Sequence, residues 1–524
     1  MRGVETVLFL VVVATVVATF AKRLRVPAPS LLVVAGVVVG LLPGVPVVQV
    51  TPDVISLVVL PPLLFAAGEE LPWRDLRAVG RPVAVLSVGL VLLSAAAVIG
   101  TAVAVTSLPV GMAFVLGAVL ASTDPVAVTA LARRLALPPR VQALIQAESL
   151  FNDATSLLLF RVALFLAVAG GAASWGRTLG EFAALAGGGV AVGVLTAIGA
   201  FVIRRRTEDP VLETVISLVT PYAGYVVAES VGGSGVTAVV VASVILGTQA
   251  ERLTTARIRL QVGAVYQTVV FLLESVVFGL IGLQLPALVR RVAGGSAWWL
   301  LQAVAIAATL VMARLLLVFV LSALRQRRAD GRISWQVPAV VSWAGARGVV
   351  PLAAALSLPV ATLDGSALPA RELVLLLTSA VIVLTLVVQG FTLAPLVRLA
   401  GIALDPADLR TEYGTARRKL AEAGLSHLEH LAETESAPEF VVDQLRASWQ
   451  ARLDRVRGED KTDDKTGDKP GDPVRGIDYR ALRRELIDVE TAELTRLFEA
   501  GEITDGTRRR VQRLLDLEHA ALED

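Results

Sequence analysis

The sequence predicts an all-α polytopic membrane protein. It has thirteen transmembrane helices, arranged as inverted six-helix repeats with two discontinuous crossing helices, and a soluble helical C-terminal tail. Three observations carry this. First, the 524 residues are 55% hydrophobic with a mean hydropathy of +0.69, more apolar surface than one or two soluble domains can bury. Second, apolar runs recur near 4–20, 30–48, 54–67, 80–106, 109–131, 141–169, 180–203, 210–230, 234–250, 263–288, 297–324, 337–360 and 371–399. About 20 apolar residues suffice to cross a bilayer. Third, the loops alternate in charge. Those at 22–25, 74–81, 133–140, 204–206, 252–259 and 325–332 hold 19 Lys and Arg, and the opposite set with the N-terminus holds 5. The positive-inside rule then places the N-terminus outside and the tail in the cytoplasm.

The run 4–20 could pass for a signal peptide, but Lys22, Arg23 and Arg25 follow it instead of a small-residue cleavage site. It reads as a retained first span. The third run is short and leans on its neighbours or on local bilayer thinning. The fifth is interrupted by Ser122-Thr123-Asp124-Pro125, and the twelfth by Gly345-Ala346-Arg347-Gly348 and Pro351. Proline removes a backbone hydrogen bond and breaks or bends a helix. If spans 1–6 and 8–13 form two units joined by the seventh, each break lies in the fifth span of its unit. An even repeat plus one linking span makes the units run in opposite directions, as in transporters built from inverted repeats. From 402 the chain turns polar. Charged amphipathic helices are expected over 405–433, 438–457, 479–500 and 504–522, with Thr504 as an N-cap and a flexible linker at 458–476.

The sixth span carries Glu148-Ser149-Leu150-Phe151-Asn152-Asp153. An acidic residue at the midplane costs at least ~2.5–3.5 kcal/mol, so a retained one is a functional candidate. Ser149 and Asp153 are four apart and share a helix face, as do Glu148 and Asn152. Burial disfavours the charged form of a carboxylate, so Asp153 can hold a proton or a hard cation but not both. Ser149, Asn152 and Thr123 offer oxygen ligands. Asp124 can neutralise the positive end of a half-helix at the break. Glu148 and Arg347 are expected to pair across the two repeats as a mainly structural ion pair; the competing reading makes Glu148 a direct ligand. Arg161 and Arg314 also lie inside spans, and the sequence assigns them no partner. Glu274 reads as a buried acid facing a pore or a subunit contact, and Glu69 and Glu70 as solvated near a loop.

Composition removes other chemistries. There is no Cys, so no thiolate metal site or nucleophile. The three histidines, His427, His430 and His519, lie in the tail, so carboxylates must do any proton work in the membrane. A net charge of +2 argues for no nucleic-acid partner. No catalytic signature is present and no cofactor is expected. A channel would want a filter-like carbonyl ring. An organic-solute carrier would want an aromatic-lined pocket, and aromatics are only 5%.

Three blocks now carry a resemblance: Ala121-Ser-Thr-Asp-Pro-Val-Ala-Val128, Glu148-Ser-Leu-Phe-Asn-Asp153 and Gly345-Ala-Arg-Gly-Val-Val-Pro351. In order and at these spans they resemble the signature blocks of the monovalent cation/proton antiporter-1 family, the NhaP-type and NHE-type sodium/proton exchangers. The resemblance covers about 1–400. It implies the NhaA-like fold, with a core bundle over about 80–169 and 297–399, a dimerisation part over about 1–67 and 210–288, and a membrane domain 1–401 ahead of the tail 402–524. It implies a cell-membrane homodimer exchanging cytoplasmic Na⁺, or K⁺ by the same mechanism, for external H⁺. Asp153 would be the exchanging carboxylate, with Na⁺ held by Asp153, Ser149 and Thr123. Asn152 beside a single Asp resembles the electroneutral branch. Ala66 stands where many relatives carry Glu, and Glu274 where relatives often have Asn.

Overall fold

Lipid offers the backbone no hydrogen bonds, so an apolar chain crossing it must satisfy its own amides, and the helix does this within one segment. The computed structural model describes residues 12–13, 15–17, 19, 28–42, 55–71, 73–123, 137–168, 175–207, 209–292, 297–329, 335–361, 367–434, 438–458 and 477–522. Every named element among them is helical, and their single β contact is an isolated bridge between Ala361 and Ala367. Two compact units are formed. One holds 1–207, 215–253 and 265–403; the other holds 208–214, 254–264 and 404–524.

In the first unit the helices are α1 (Ala28–Leu41), α2 (Leu60–Glu69), α3 (Trp73–Val85), α4 (Val91–Val105), α5 (Val110–Leu120), α6 (Pro139–Val168) and α7 (Trp175–Arg204). There follow α8 (Pro210–Ser230), α9 (Gly235–Leu253), α10 (Ala256–Val292), α11 (Trp298–Ala329), α12 (Gln336–Trp343), α13 (Val349–Leu356) and α14 (Arg371–Ala400). The first turns of α8 and α10 belong to the second unit. Among the described residues, seven segments are long and apolar enough to cross a membrane: Val79–Val105, Pro139–Val168, Gly180–Arg204, Pro210–Ser230, Ala256–Val292, Trp298–Leu324 and Arg371–Ala400. Ala28–Leu41, Ser56–Glu69, Val110–Leu120 and Gly235–Gln249 are shorter apolar helices. Most of the run 4–20 lies outside the described residues.

The short third run is helical with a π-type stretch at Ile55–Val59, where Pro61 and Pro62 supply no N–H to the turn before them. Both expected interruptions begin where Pro and Gly place them. α5 stops at Leu120 and the chain is unwound at Ser122 and Thr123; the continuation from Asp124 lies outside the described residues. The twelfth run is two half-helices, α12 and α13, separated by an unwound stretch at 345–348. Pro351 sits in the first turn of α13, where its missing N–H costs nothing. The half-helices α5 and α13 touch each other, and both touch α6 and α14.

α6 is the hub, packing against α2–α5, α7, α9, α12 and α13. α14 is the most enclosed long helix, with 72% of its apolar window buried against 28% for the windows in α7 and α11. α7 and α11 thus leave much apolar surface uncovered, as a helix facing lipid should and one facing water should not.

The second unit gathers α15 (Pro406–Glu433), α16 (Glu439–Gly458), α17 (Ile477–Ala500) and α18 (Asp505–Ala520). Asp405 caps α15 by accepting from Ala407 N at 2.8 Å, and Thr504 caps α18 as expected, accepting from Thr507 N. The linker 458–476, save Gly458, lies outside the described residues. Leu420, Ile487, Leu494, Leu497, Val511 and Leu515 form one apolar core, and Leu428, Leu445, Trp449 and Leu486 another. Gly424 makes room for Trp449: a Cβ there would overlap the indole nitrogen.

That indole donates to Glu490 Oε1 at 2.7 Å, while Arg452 stacks on Trp449 and reaches Glu490 at 3.6 Å and Glu518 at 2.5 Å. Burial pushes the Glu490 carboxyl up to about 7; Arg452 opposes the rise and Glu518 adds to it. Such a group binds more protons folded than unfolded. The tail is therefore expected to lose ~3 kcal/mol of stability as pH rises through the window from the ordinary carboxylate value to about 7. Amide exchange of α16 and α17 in the whole protein between pH 5 and 8, corrected for intrinsic rates, checks this. Glu490→Gln should flatten the profile; a flat profile in the unaltered protein contradicts it.

Candidate functional site

The adjacent pairs Glu148–Ser149 and Asn152–Asp153, and then Ser156, recur every three or four residues on α6, so one side of this helix carries them all. All five are buried. This side meets the open end of α5, where the helix stops and its last carbonyls and hydroxyls are released from the helical ladder. Ser156 Oγ donates to Ala118 O at 2.7 Å and fixes the two helices in register. Ser149 Oγ donates to the carbonyl of Thr123. Asn152 Nδ2 donates to Thr123 Oγ1 at 3.2 Å. Ser122 Oγ donates to Asp153 Oδ1 at 2.7 Å. Asn152 Oδ1 is buried and has no hydrogen-bond partner among the described residues, so an open acceptor stands on the residue next to Asp153.

Four of the five expected site residues, Asp153, Asn152, Ser149 and Thr123, are thus brought together. Asp124 lies outside the described residues. Ser122 was missed. It stands within the quoted motif, but only the observed direction of its hydroxyl assigns it to Asp153.

The expected pair between Glu148 and Arg347 needs correction. Glu148 is held by Arg314 of α11, with Nη1 to Oε1 at 2.5 Å and Nη2 to Oε2 at 2.8 Å. Arg314 also donates to Val341 O from Nε at 3.2 Å and from Nη2 at 3.0 Å, tying α11 to the end of α12. Gly345 opens the space: a Cβ there would lie 2.6 Å from Arg314 Cδ and Nε. Arg347 instead donates from Nη1 to the carbonyl of Ser122 at 2.8 Å, and its backbone N–H donates to Thr385 Oγ1 of α14 at 3.2 Å. A guanidinium at the carbonyl end of α5 meets the negative end of that helix dipole. It also stays within electrostatic reach of Glu148 and Asp153.

Other intramembrane charges find partners too. Arg161 pairs with Glu229, which also accepts from Gly235 N at 3.0 Å and so joins α6 to the α8–α9 turn. Glu69, expected to be solvated, lies 3.8 Å from buried Arg204. Glu274 is half-buried on α10.

The cluster is therefore a set of hard oxygen atoms around one carboxylate, enclosed where two unwound stretches face a continuous helix. Such atoms suit an alkali cation or a proton and no soft metal.

The model that describes the transmembrane part of sodium/hydrogen exchangers matches residues 10–399. The chain belongs to the sodium/hydrogen exchanger family. This is the family the three motif blocks resemble. Among similar proteins is the Na⁺/H⁺ antiporter ApNhaP of Aphanothece halophytica, 30% identical over 493 residues and covering 94% of this chain and 92% of the relative. A protein of Bacillus subtilis named as a sodium, potassium, lithium and rubidium/H⁺ antiporter is 27% identical, covering 93% of this chain and 73% of the relative. The solved sodium proton antiporter MjNhaP1 of Methanocaldococcus jannaschii matches with a TM-score of 0.62 at 20% identity, over 75% of this chain and 99% of that one. At that identity the likeness is one of fold. This exchanger-family chain is a multi-pass membrane protein, and the three relatives named above are cation/proton antiporters.

Proposed function

We propose that this chain is a secondary antiporter that exchanges a monovalent cation, Na⁺ first, for H⁺ by alternating access at Asp153. The observation that carries the reading is the enclosure of Asp153 among Ser122, Thr123, Ser149 and the open Asn152 Oδ1, at the interrupted end of α5. A cation bound there displaces the proton, and a proton displaces the cation. Either loaded form is neutral at that residue and can move between the two sides; the bare carboxylate is held back by its desolvation cost. Ser149, Thr123 and Asn152 supply ligand oxygens, and Asp124 adds a negative charge next to the break. One carboxylate per site, with Asn152 where a second acid would add charge, supports one-for-one electroneutral exchange. Glu148 with Arg314 serves the scaffold. The alternation of loop charge supports an external N-terminus and a cytoplasmic tail, and membership of the family supports a homodimer.

A second reading makes K⁺ the main cargo by the same mechanism, favoured by the wider cation range in the name of the Bacillus subtilis relative. Everted vesicles with a preformed pH gradient test both. Added Na⁺, Li⁺ or K⁺ should collapse the gradient, and clamping the membrane potential should leave the rate unchanged. The order of half-saturation across the series assigns the cargo. A gradient untouched by any of the three ions would reject antiport.

A further inference from the structure

Hydroxyls on helices ordinarily bond back to a carbonyl four residues earlier, as Thr101 does to Ala97 and Thr155 to Phe151. Ser122 does not. It lies just past the end of α5, and the unwound chain turns both of its polar groups outward. The hydroxyl goes to Asp153 Oδ1 at 2.7 Å; the carbonyl, which a continuing helix would have used, takes Arg347 Nη1 at 2.8 Å. Ser122 is fully buried, so no water competes for either bond. It is therefore one residue bonded at the same time to the candidate carrier on α6 and to the guanidinium in the break of the twelfth run.

We propose that Ser122 is a positioning residue of the exchange site: its hydroxyl fixes the orientation of the Asp153 carboxylate, and its carbonyl, held by Arg347, keeps that hydroxyl in place. This rests on the reading of Asp153 as the carrier. The geometry supplies the reason. A carboxylate has about four acceptor sites on two oxygens. With Oδ1 bonded to Ser122, rotation about the last side-chain bond is restrained, and the carboxylate is biased toward one orientation. A cation is then met by a pre-set ligand instead of one that must be ordered on arrival, and pre-ordering is returned as affinity. Arg347 matters through the same chain of bonds. Its hold on the Ser122 carbonyl keeps the unwound link from turning the hydroxyl away.

The experiment is cation-dependent proton flux in vesicles holding the full chain, with Na⁺ varied at one pH, for Ser122→Ala, Ser122→Thr and Asp153→Asn. A hydrogen bond to a charged group corresponds to about a tenfold change in binding. Ser122→Ala should raise the half-saturating Na⁺ concentration about tenfold while the maximal rate stays within about twofold. Ser122→Thr keeps the hydroxyl and should restore half-saturation to within about threefold. A residue that only fills the break would lower the amount of folded protein or the maximal rate and leave half-saturation alone; that result overturns the proposal, as does an unchanged Ser122→Ala. If Ser122→Ala does not reach the membrane, Ser122→Cys takes its place. It is near in size, a poor donor and the chain's first cysteine, and should raise half-saturation likewise. An active Asp153→Asn removes the carrier reading itself, whereas an inactive Asp153→Asn beside a wild-type-like Ser122→Ala removes only the role of Ser122.

Discussion

Asp153→Asn is expected to abolish cation-driven proton flux, by roughly a thousandfold, without unfolding the protein. The size follows from charge. A unit charge 4 Å from its counter-charge gains about 4 kcal/mol at an effective dielectric of 20, which is roughly a thousandfold in occupancy. An amide in place of the carboxylate offers a dipole but no counter-charge, and it takes up no proton in the physiological range. Both halves of the exchange fail together. The fold should survive because asparagine keeps the oxygen that accepts from Ser122 Oγ. Flux in vesicles, normalised to the amount of protein in the membrane, measures the effect. A variant retaining more than about a tenth of the normal rate would require another carrier, and Asp124 would be the next carboxylate to alter.

The parts of this molecule legible in the sequence are those that local physics dictates. Apolar runs become helices because lipid leaves the backbone no other partner. The interruptions at 122–123 and 345–348 fall where Pro125, Gly345, Gly348 and Pro351 announce them. Thr504 is read as a cap from its place before Asp505, and it caps. Ser149, Asn152 and Asp153 share a side because helix periodicity requires it. Pairings between distant helices are a different matter. Glu148 and Arg314 are 166 positions apart, and which arginine meets the carboxylate depends on the rotation of α11 against α6 and on the space left by Gly345. Arg347 looked the better partner because both residues stand near a break, but nearness along a helix says nothing of the direction of a long side chain. Glu69 against Arg204 was hidden in the same way. Ser122 was legible as a polar residue in a break, but the turn of its hydroxyl toward Asp153 is set by backbone torsions that the residue types do not encode.

Arg314→Ala is expected to cost about 3–5 kcal/mol of stability, because it leaves Glu148 charged, buried and unpaired. Glu148 has a side-chain exposure of 1% and Arg314 of 2%, so water screens neither. Arg347→Ala should cost less, about 1–3 kcal/mol, since it strips one hydrogen bond from the Ser122 carbonyl and leaves no carboxylate without its bidentate partner. The difference separates the observed pairing from the one the sequence suggested, and a double-mutant cycle makes it quantitative. In the purified protein, thermal unfolding of Glu148→Gln, Arg314→Gln and the combined variant should show strong coupling. The double variant should recover much of the loss, because two neutral groups no longer demand each other's charge. The same cycle with Arg347→Gln should show weak coupling, since Arg347 lies within the field of Glu148 but is bonded elsewhere. Stronger coupling of Glu148 to Arg347 than to Arg314 would reverse the assignment. It would also place the ion pair between the two interrupted helices, where its making and breaking could accompany transport, instead of on the continuous helices α6 and α11 that frame the site.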